Sequence, residues 1–452
     1  MIFKRYESKG LAHYSYLIGD QGDAVVIDPR RDIDAYLTDA ASGGYQISKV
    51  LETHRNEDYV VGSTEIAAAT SADLFHADAQ WDYQYGAPVV DGQEWEVGRL
   101  KLTAIHTPGH TPGSMSYLLH DSDGHPWIVF TGDAVFSGEV GRMDLLGEDR
   151  LEEMAGLLYE SLFEKLLPLG DQVIVCPAHG AGSVCGSEIA ERTWTTIGLE
   201  RQFNPKLQVD DKHEFVAKFA KMLERPPYFR KMEKLNLEGA PVLGRLPDLT
   251  PLSPGALGER MEEAQVVDTR DQISFGGGHL RDSLCMWRDI LASFAGWFLD
   301  YDQPLLFVTN GENNEGIVRT MVRLGFDNLG GYLTGGPVAW SKSGRALESI
   351  RMLSVDSFCQ EIKTGGSRFL LDVRGEDELT GEGLRLAKRI HLTKLPDHLD
   401  DIPRDESVYI VCSSGFRSII AASYLKRKGW QDLRVLIGGL EAWENFGCEF
   451  EL

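Results

Sequence analysis

The chain has 452 residues, of which 42% are hydrophobic and 25% are charged, and its formal net charge is -24. A chain of this length divides into several domains, each large enough to bury its own core. The acidic excess argues against a nucleic-acid or anionic-membrane surface, because there is no basic excess to release counterions.

The N-terminal stretch and the cysteines favour a cytoplasmic location. The opening MIFKRYESKG has no apolar segment of the secretory type, and no apolar run approaches the length of a membrane span. The six cysteines are too few and too scattered for a disulfide framework, so we expect thiols in a reducing compartment. They are Cys176, Cys185, Cys285, Cys359, Cys412 and Cys448. The sequence leaves a homo-oligomer open.

The first part of the chain alternates short β-rich runs with helical segments. The runs are HYSYLIG, DAVVIDP, KVLETH, SMSYLL, WIVFTGD and QVIVCPAHG, and the longest helical segment is DRLEEMAGLLYESLFEKLLP. This alternation predicts a layered α/β unit. Helical segments continue to about residue 240, and the Pro/Gly-rich stretch that follows predicts a linker. We therefore predict one domain with a helical extension over residues 1–240 and a linker over 241–257.

Beyond the linker the sequence repeats itself once. VVDTR returns as LLDVR, LLFVTNG as VYIVCSSG, LGF as KGW, and LTGGPVAW as LIGGLEAW. Each pair is about 103 residues apart, for example residues 333 and 436. Four matches in order at a constant offset predict two tandem copies of one domain, over 258–348 and 349–452.

The second copy contains a reactive loop. Cys412 follows the apolar run VYIV and begins the segment CSSGFRS, which leads into a helix. Such a loop directs backbone N–H groups at the sulfur, and Arg417 adds positive charge, so a thiolate or persulfide anion is favoured. The alternative is a buried structural cysteine. The other loop residues are Ser413, Ser414, Gly415, Phe416 and Ser418.

Each copy resembles the rhodanese domain, in its Asp-Arg strand end, its loop and its Gly-Gly-x-x-x-Trp segment. The resemblance implies a parallel α/β sheet and sulfurtransfer at Cys412 with thiosulfate, sulfite or a persulfide. The first copy has Thr309 or Asn310 at the cysteine position and no arginine five residues later. We expect it to be inactive and to have a structural role, packing the N-terminal domain against the active copy.

Four short motifs in the first domain contain candidate metal ligands. They are LETHRNEDY, HTPGHTPGS, FTGDAVF and CPAHGAG, each after an apolar run, and their key residues are His54, His110, Asp133 and His179. With VIDP near the N-terminus, they resemble the motifs of the metallo-β-lactamase superfamily. The resemblance implies an αββα sandwich.

That superfamily commonly carries the two-metal motif H-x-H-x-D-H, which this chain changes. Asn56 and Tyr59 replace the second and third histidines, and Tyr59 removes a ligand of the second metal. The metal ligands that the resemblance still implies are His54, His110 and Asp133. Two histidines and one carboxylate with open positions suit non-haem Fe(II), with Zn as the alternative. Asn56, Asp58, Tyr59 and His179 are expected to surround and support these ligands.

The whole chain resembles fusions of a persulfide dioxygenase with rhodanese domains. The resemblance implies oxidation of a low-molecular-weight thiol persulfide by O2 to sulfite at one Fe(II) per chain, coupled to rhodanese sulfurtransfer. The usual persulfide dioxygenase keeps the full H-x-H-x-D-H motif, so this chain departs from the pattern that it resembles at Asn56 and Tyr59. Two alternatives stay open, namely a zinc-dependent thioester hydrolase of the glyoxalase II type and a non-catalytic sulfur-carrier scaffold.

Two further residues are candidates for the site. Arg142, shortly after Asp133, is a candidate for binding an anionic group of the carrier thiol, and the alternative is a structural arginine. Cys185 lies six residues after His179 in a glycine-rich turn. It is a candidate auxiliary thiol that accepts a persulfide, and the alternative is a small buried residue.

Overall fold

The computed structural model describes the chain apart from residues 187, 312–313, 365–367, 376–377, 379–383, 385 and 448–452. The chain forms two compact units. The N-terminal unit comprises Met1–Leu246 together with Arg319–Asp327, and the C-terminal unit comprises Pro247–Val318 and Asn328–Leu452. In the part of the chain that the structure describes, no helix has both the length and the apolar character needed to cross a membrane.

The N-terminal unit begins with strands and ends with helices. Its strands are β1 (Ile2–Ser8), β2 (His13–Asp20), β3 (Asp23–Ile27), β4 (Gln46–Leu51), β5 (Asp73–His76), β6 (Ala87–Pro88), β7 (Glu94–Val97), β8 (Leu100–His106), β9 (Met115–His120), β10 (Pro126–Gly132), β11 (Ile174–Pro177) and β12 (Thr195–Thr196). Its helices are α1 (Asp34–Ser42), α2 (Ser63–Thr70), α3 (Glu148–Glu160), α4 (Ile197–Phe203), α5 (Lys212–Phe219) and α6 (Phe229–Glu238). Thr196 and Asp211 cap α4 and α5 through their side-chain oxygens.

These strands form two six-stranded sheets. One has the order β1-β2-β3-β4-β5-β6 and the other β12-β11-β10-β9-β8-β7. Apolar side chains of both sheets, including Ile27 and Phe130, share a core between them. A second cluster packs α1 and α2 on the outer face of the first sheet, and a third packs α3 and α5 on the second sheet. The layers are therefore helix, sheet, sheet and helix, which confirms the predicted αββα sandwich.

The repeated elements belong to the C-terminal unit, except that residues 319–323 of the helix beginning at Asn314 belong to the N-terminal unit. The first copy has β13 (Pro251–Leu252), α7 (Pro254–Arg260), β14 (Gln265–Asp268), α8 (Gln272–Gly277), β15 (Leu284–Cys285), α9 (Leu291–Phe298), β16 (Leu305–Val308), α10 (Asn314–Arg323), β17 (Leu329–Leu333) and α11 (Gly336–Lys342). The second has β18 (Arg351–Leu353), α12 (Val355–Thr364), β19 (Arg368–Asp372), β20 (Ala387–Arg389), β21 (Ser407–Val411), α13 (Phe416–Arg427), β22 (Leu433–Leu436) and α14 (Gly439–Phe446).

The two copies share one sheet topology. The orders are β13-β17-β16-β14-β15 and β18-β22-β21-β19-β20, and neighbouring strands are parallel throughout. Position for position the strands correspond, which confirms the predicted tandem α/β domains with parallel sheets.

The prediction that every cysteine is a thiol is wrong for Cys359, which is disulfide-bonded. Cys448 lies outside the described residues. The prediction relied on spacing along the chain, whereas a disulfide depends on the distance between two residues in the fold. Cys176, Cys185, Cys285 and Cys412 are buried and free.

The segment Arg319–Asp327 is an internal part of the N-terminal unit. The Arg323 guanidinium donates to both oxygens of the buried Asp32 carboxylate at 2.7 and 2.6 Å, and the Arg323 carbonyl accepts from the Val60 N–H. Burial alone would raise the pKa of Asp32, but hydrogen bonds from Arg323 and Arg319 outweigh burial and lower it. Arg31 binds Asp327 through two hydrogen bonds.

We expect Arg323→Ala to lower the free energy of unfolding of the N-terminal unit by about 3 kcal/mol, because Asp32 loses its closest buried partner. Urea unfolding measures the change. Arg150→Ala removes an arginine from an exposed pair with Glu153 and serves as the control, with no measurable change expected. Equal effects of the two substitutions would contradict the buried role of Arg323.

Candidate metal centre and sulfur-binding loop

His54 lies in the loop between β4 and α2, and Asp28 fixes its orientation. The Asp28 carboxylate accepts the Thr53 N–H at 2.8 Å and the Thr53 hydroxyl at 2.7 Å. Because that hydroxyl hydrogen is used, Thr53 Oγ1 accepts from His54 Nδ1 at 2.9 Å. His54 is therefore held with its Nε2 lone pair available for a metal.

His110 and Asp133 come from the loops that follow β8 and β10. His110 donates its Nδ1–H to the Arg142 carbonyl at 2.9 Å, which again leaves Nε2 with a free lone pair. Asp133 Oδ2 lies 3.5 Å from His110 Nε2 and 3.8 Å from His54 Nε2. The three residues are each 1% exposed.

The two Nε2 atoms and Asp133 Oδ2 are buried and have no hydrogen-bond partner among the described residues. Buried polar atoms without a partner are costly, and two imidazole nitrogens within 3.8 Å of one carboxylate oxygen form a donor set that a divalent metal satisfies. The residues present therefore fit the metal that the motifs imply.

Glu57 is a further residue of this cluster that sequence reasoning missed. Its Oε2 lies 3.6 Å from His110 Nε2 and has no hydrogen-bond partner in the described part of the chain. Ligand atoms of His54, Glu57 and His110 lie within 4.8 Å of one another. Burial alone would raise the pKa of Glu57, but His110 and Arg55 outweigh burial and lower it. Glu57 occupies a variable position of the motif, so the motif itself carried no signal for it.

His179 connects Asp133 to Asp58. It donates Nδ1–H to Asp133 Oδ1 at 2.8 Å and Nε2–H to Asp58 Oδ2 at 3.0 Å. Burial alone would lower the pKa of His179, but the carboxylates of Asp133 and Asp58 outweigh burial and raise it. This contact orients Asp133 so that Oδ2 faces His54 and His110.

Asn56 and Tyr59 lie beside the cluster in different ways. Asn56 donates its amide to the His54 carbonyl at 3.2 Å, and its Oδ1 is buried without a partner among the described residues. Tyr59 packs against His13 with ring centroids 3.9 Å apart and the ring planes tilted by 34°, and it donates its hydroxyl to the Asp28 carbonyl at 3.4 Å. Burial raises the pKa of Tyr59 well above 10, so its phenol stays neutral.

Asn236, on α6, holds the loop that contains both of these residues. Its amide donates to the carbonyls of Asn56 and Tyr59 at 2.7 and 2.8 Å, and its Oδ1 accepts from the Val61 N–H. Sequence analysis did not identify Asn236, because it lies about 180 residues beyond the motif.

The guanidinium of Arg142 is buried and paired. It donates to both oxygens of Asp144 at 2.8 Å and to three carbonyls at 3.3 to 3.4 Å, and the residue is 4% exposed. This geometry favours the structural alternative for Arg142, whose carbonyl holds His110. Cys185 is fully buried, and burial raises the pKa of its thiol well above 9.

The Cys412 loop lies between β21 and α13. The Gly415 N–H donates to Cys412 Sγ at 3.1 Å, and Gly415 has φ +91°, a conformation that favours glycine. The first turn of α14 also holds the loop, because the Leu440 N–H donates to the Cys412 carbonyl at 2.9 Å. Ser418 Oγ is buried and has no partner among the described residues. A sulfur anion at Cys412 therefore meets at least one directed N–H group.

Arg417 forms an ion pair that sequence analysis did not identify. Its guanidinium donates to both oxygens of Glu378, and Ser413 Oγ donates to the same carboxylate at 2.6 Å. The hydrogen bonds from Arg417 lower the pKa of Glu378 to about 2. Glu378 lies about 40 residues before Arg417, outside any motif. The charge of Arg417 is therefore shared between Glu378 and the loop.

The first copy has no cysteine at the corresponding position. Thr309 follows β16, and its hydroxyl accepts the Gly311 N–H at 3.0 Å. The same copy contacts the active loop through Trp287, whose ring stacks on Phe416 with centroids 4.9 Å apart. Cys285 is buried in β15 and is remote from any such loop in sequence.

The chain matches two protein families. The metallo-beta-lactamase superfamily matches residues 9–179, and the rhodanese-like domain matches 253–343 and 354–446. The mitochondrial persulfide dioxygenase ETHE1 of Bos taurus is 30% identical over 248 residues, which cover 52% of this chain and 82% of that protein.

The chain belongs to the persulfide dioxygenase–rhodanese fusions of the metallo-beta-lactamase superfamily. A crystal structure of a metallo-beta-lactamase from Staphylococcus aureus subsp. aureus COL is 29% identical to this fusion protein, with a TM-score of 0.66, over 74% of this chain and 98% of that one. The hydroxyacylglutathione hydrolase GloC of Haemophilus influenzae is 28% identical, over 43% of this chain and 91% of that protein. The chain spans about half the length of some curated relatives, 45% in the case of a mycobacterial protein.

We expect His110→Ala to release the metal, because the cluster loses one of its two neutral nitrogen ligands. Glu57→Gln should weaken metal binding by about 10- to 100-fold, as removal of a supporting group does. Metal content after dialysis against a graded chelator measures both. The control is His120→Ala, which removes a histidine of β9 outside the cluster. Full metal retention by His110→Ala would contradict the ligand assignment.

Proposed function

We propose that the N-terminal unit oxidises a low-molecular-weight thiol persulfide with O2 to sulfite at one Fe(II), held by His54, His110 and Asp133. The net reaction is R–S–SH + O2 + H2O → R–SH + sulfite + 2H+. The observation that carries the proposal is the convergence of two unpartnered imidazole nitrogens and one carboxylate oxygen in a buried cluster. The bovine relative that is named a persulfide dioxygenase supports the choice of reaction.

The chain's own residues do three things for this reaction. Thr53 and the Arg142 carbonyl hold the two histidines in the tautomer that exposes Nε2. His179 orients Asp133, and burial of the whole cluster keeps bulk water away from a reactive sulfur compound. Fe(II) bound there would supply open coordination positions for the persulfide sulfur and O2.

The second part of the proposal is sulfurtransfer at Cys412. The thiolate attacks the outer sulfur of thiosulfate, the S–S bond breaks, and sulfite leaves: Cys–S⁻ + S2O3²⁻ → Cys–S–S⁻ + SO3²⁻. Gly415 N–H stabilises the sulfur anion, and Arg417 adds charge at the loop. The reverse direction consumes the sulfite that the metal centre makes, and it yields thiosulfate.

A second candidate function is thioester hydrolysis with zinc, which the similarity to a hydroxyacylglutathione hydrolase favours. A hydrolase of that type uses two metals, and here Asn56 and Tyr59 remove two histidines from the motif. The Tyr59 hydroxyl bonds to a carbonyl rather than facing the cluster. A non-catalytic sulfur-carrier scaffold is the remaining alternative, and the cytoplasmic location stays a prediction.

We expect the purified protein to hold about one iron per chain and to consume O2 when a thiol persulfide is added. Asp133→Asn should abolish oxygen uptake and iron retention and leave thiosulfate sulfurtransfer unchanged, because Cys412 belongs to the other unit. Metal analysis and an oxygen electrode test this. Two zinc ions per chain with thioester hydrolysis would establish the second candidate instead, and oxygen uptake at the wild-type rate in Asp133→Asn would contradict the site.

Cys412→Ser should abolish sulfurtransfer and leave oxidation of added persulfide intact. Mass spectrometry of wild-type protein after incubation with thiosulfate should find one extra sulfur atom on the peptide that contains Cys412. Cys285→Ser, in the inactive copy, is the matched control and should keep both activities. If Cys412→Ser still transfers sulfur, the acceptor is another thiol, and Cys185 is the next to test.

A further inference from the structure

The carboxylate of Glu378 contacts the sulfur-binding loop at two residues. It accepts from the Ser413 hydroxyl at 2.6 Å and from both terminal nitrogens of the Arg417 guanidinium. The Gly375 N–H also donates to it, at 3.0 Å. Cys412 is fully buried, whereas the side chains of Arg417 and Glu378 are 20% and 29% exposed. The ion pair therefore lies nearer the solvent than the sulfur does.

The pair of Glu378 and Arg417 is ionised and has no net charge. The hydrogen bonds from Arg417 lower the pKa of Glu378 to about 2, so the carboxylate is charged at neutral pH. Glu378 is in turn the main cause that raises the pKa of Arg417, and a charged Cys412 sulfur adds to it. Arg417 therefore lies close to two negative groups. An anion that approaches Cys412 meets a neutral pair instead of a free guanidinium.

The fold of a rhodanese-like copy does not need a carboxylate at this position. Glu378 lies six residues after Asp372, the last residue of β19. In the first copy, the residue six positions after Asp268, the last residue of β14, is Ser274. Both copies nevertheless form a five-stranded sheet of the same topology. The carboxylate therefore occurs in the copy that has the reactive cysteine, and the sheet forms without it.

Compounds that donate a sulfane sulfur differ in charge at their reacting end. Thiosulfate is a dianion, whereas a thiol persulfide or an organic thiosulfonate has at most one negative charge there. The Coulomb energy between a donor and a fixed charge is proportional to the charge of the donor. Repulsion by one carboxylate therefore costs a dianion about twice the free energy that it costs a monoanion. The resulting decrease in rate for the dianion is about the square of the decrease for the monoanion.

We propose that Glu378 is a specificity-determining residue for sulfurtransfer at Cys412, because it disfavours dianionic donors such as thiosulfate relative to donors with one charge. This inference rests on the proposed sulfurtransfer and adds the class of donor. With a persulfide donor, the thiolate attacks the outer sulfur, the S–S bond of the donor breaks, and a thiolate leaves: Cys–S⁻ + R–S–SH → Cys–S–SH + R–S⁻. No other oxidant or reductant is needed.

The test compares two donors of similar size that differ by one charge. In methanethiosulfonate, a methyl group replaces one oxygen of thiosulfate. It transfers the same terminal sulfur and releases methanesulfinate: Cys–S⁻ + CH3SO2S⁻ → Cys–S–S⁻ + CH3SO2⁻. The value of kcat/KM is measured for each donor on the full chain, with one common thiol as the acceptor.

We expect Glu378→Gln to raise kcat/KM at low salt about 10-fold for thiosulfate and about 3-fold for methanethiosulfonate. The amide keeps the size of the side chain and an oxygen that accepts hydrogen bonds, but it has no charge. Both increases should become smaller at high salt, because salt screens the interaction. Glu361→Gln removes a carboxylate that pairs with Arg434 in the same copy, and it is the matched control. It should leave both values unchanged.

A conservative variant separates the charge of Glu378 from its role in holding the loop. Glu378→Asp keeps the charge, and it should keep the wild-type ratio of the two kcat/KM values even where both values fall. Equal factors for the two donors in Glu378→Gln, or loss of activity with both, would overturn the inference. If neither donor adds sulfur to wild-type Cys412 in mass spectrometry, the sulfurtransfer proposal itself fails, and this inference fails with it. Sulfur on Cys412 together with equal factors overturns the inference alone.

Discussion

The metal centre depends on the two oxygens of the Asp133 carboxylate having different surroundings. One oxygen is hydrogen-bonded to His179, and the other faces His54 and His110 without a partner of its own in the described chain. Burial would raise the pKa of Asp133, but the three histidines outweigh burial and hold it well below its usual range. The loops after four strands therefore converge on this carboxylate, and these strands come from both sheets of the sandwich.

The two candidate sites stabilise negative charge by different means. In the N-terminal unit, the unpartnered carboxylate and imidazole atoms of the cluster need a bound cation to offset the cost of their burial. In the C-terminal unit, the Gly415 N–H and the nearby Arg417 supply the positive partner from the protein itself. The first arrangement suits redox chemistry with an exogenous metal, and the second suits a covalent sulfur carrier.

Sequence reasoning predicted the elements that repeat along the chain or stand at strand ends. The duplicated domains follow from the internal repeat, whereas the αββα sandwich, the parallel sheets and the ligand set His54, His110 and Asp133 follow from the resemblance of the motifs to known families. Glu57, Glu378 and Asn236 were missed because each acts through a contact that no local pattern encodes. The ion pair of Arg142 with Asp144 could not be predicted either. A sequence does not show whether an arginine near a metal ligand is free to bind substrate or is already paired with a carboxylate.

Because Arg319–Asp327 belongs to the N-terminal unit, this unit cannot be obtained whole by cutting the chain at one position. A polypeptide that ends at Leu246 contains every candidate metal ligand, yet it lacks the carbonyl that accepts from Val60 and the guanidinium that neutralises Asp32. The domain boundaries drawn from family resemblance therefore differ from the boundaries of the compact units. Part of the sequence that matches the first rhodanese-like domain therefore lies in the interior of the N-terminal unit.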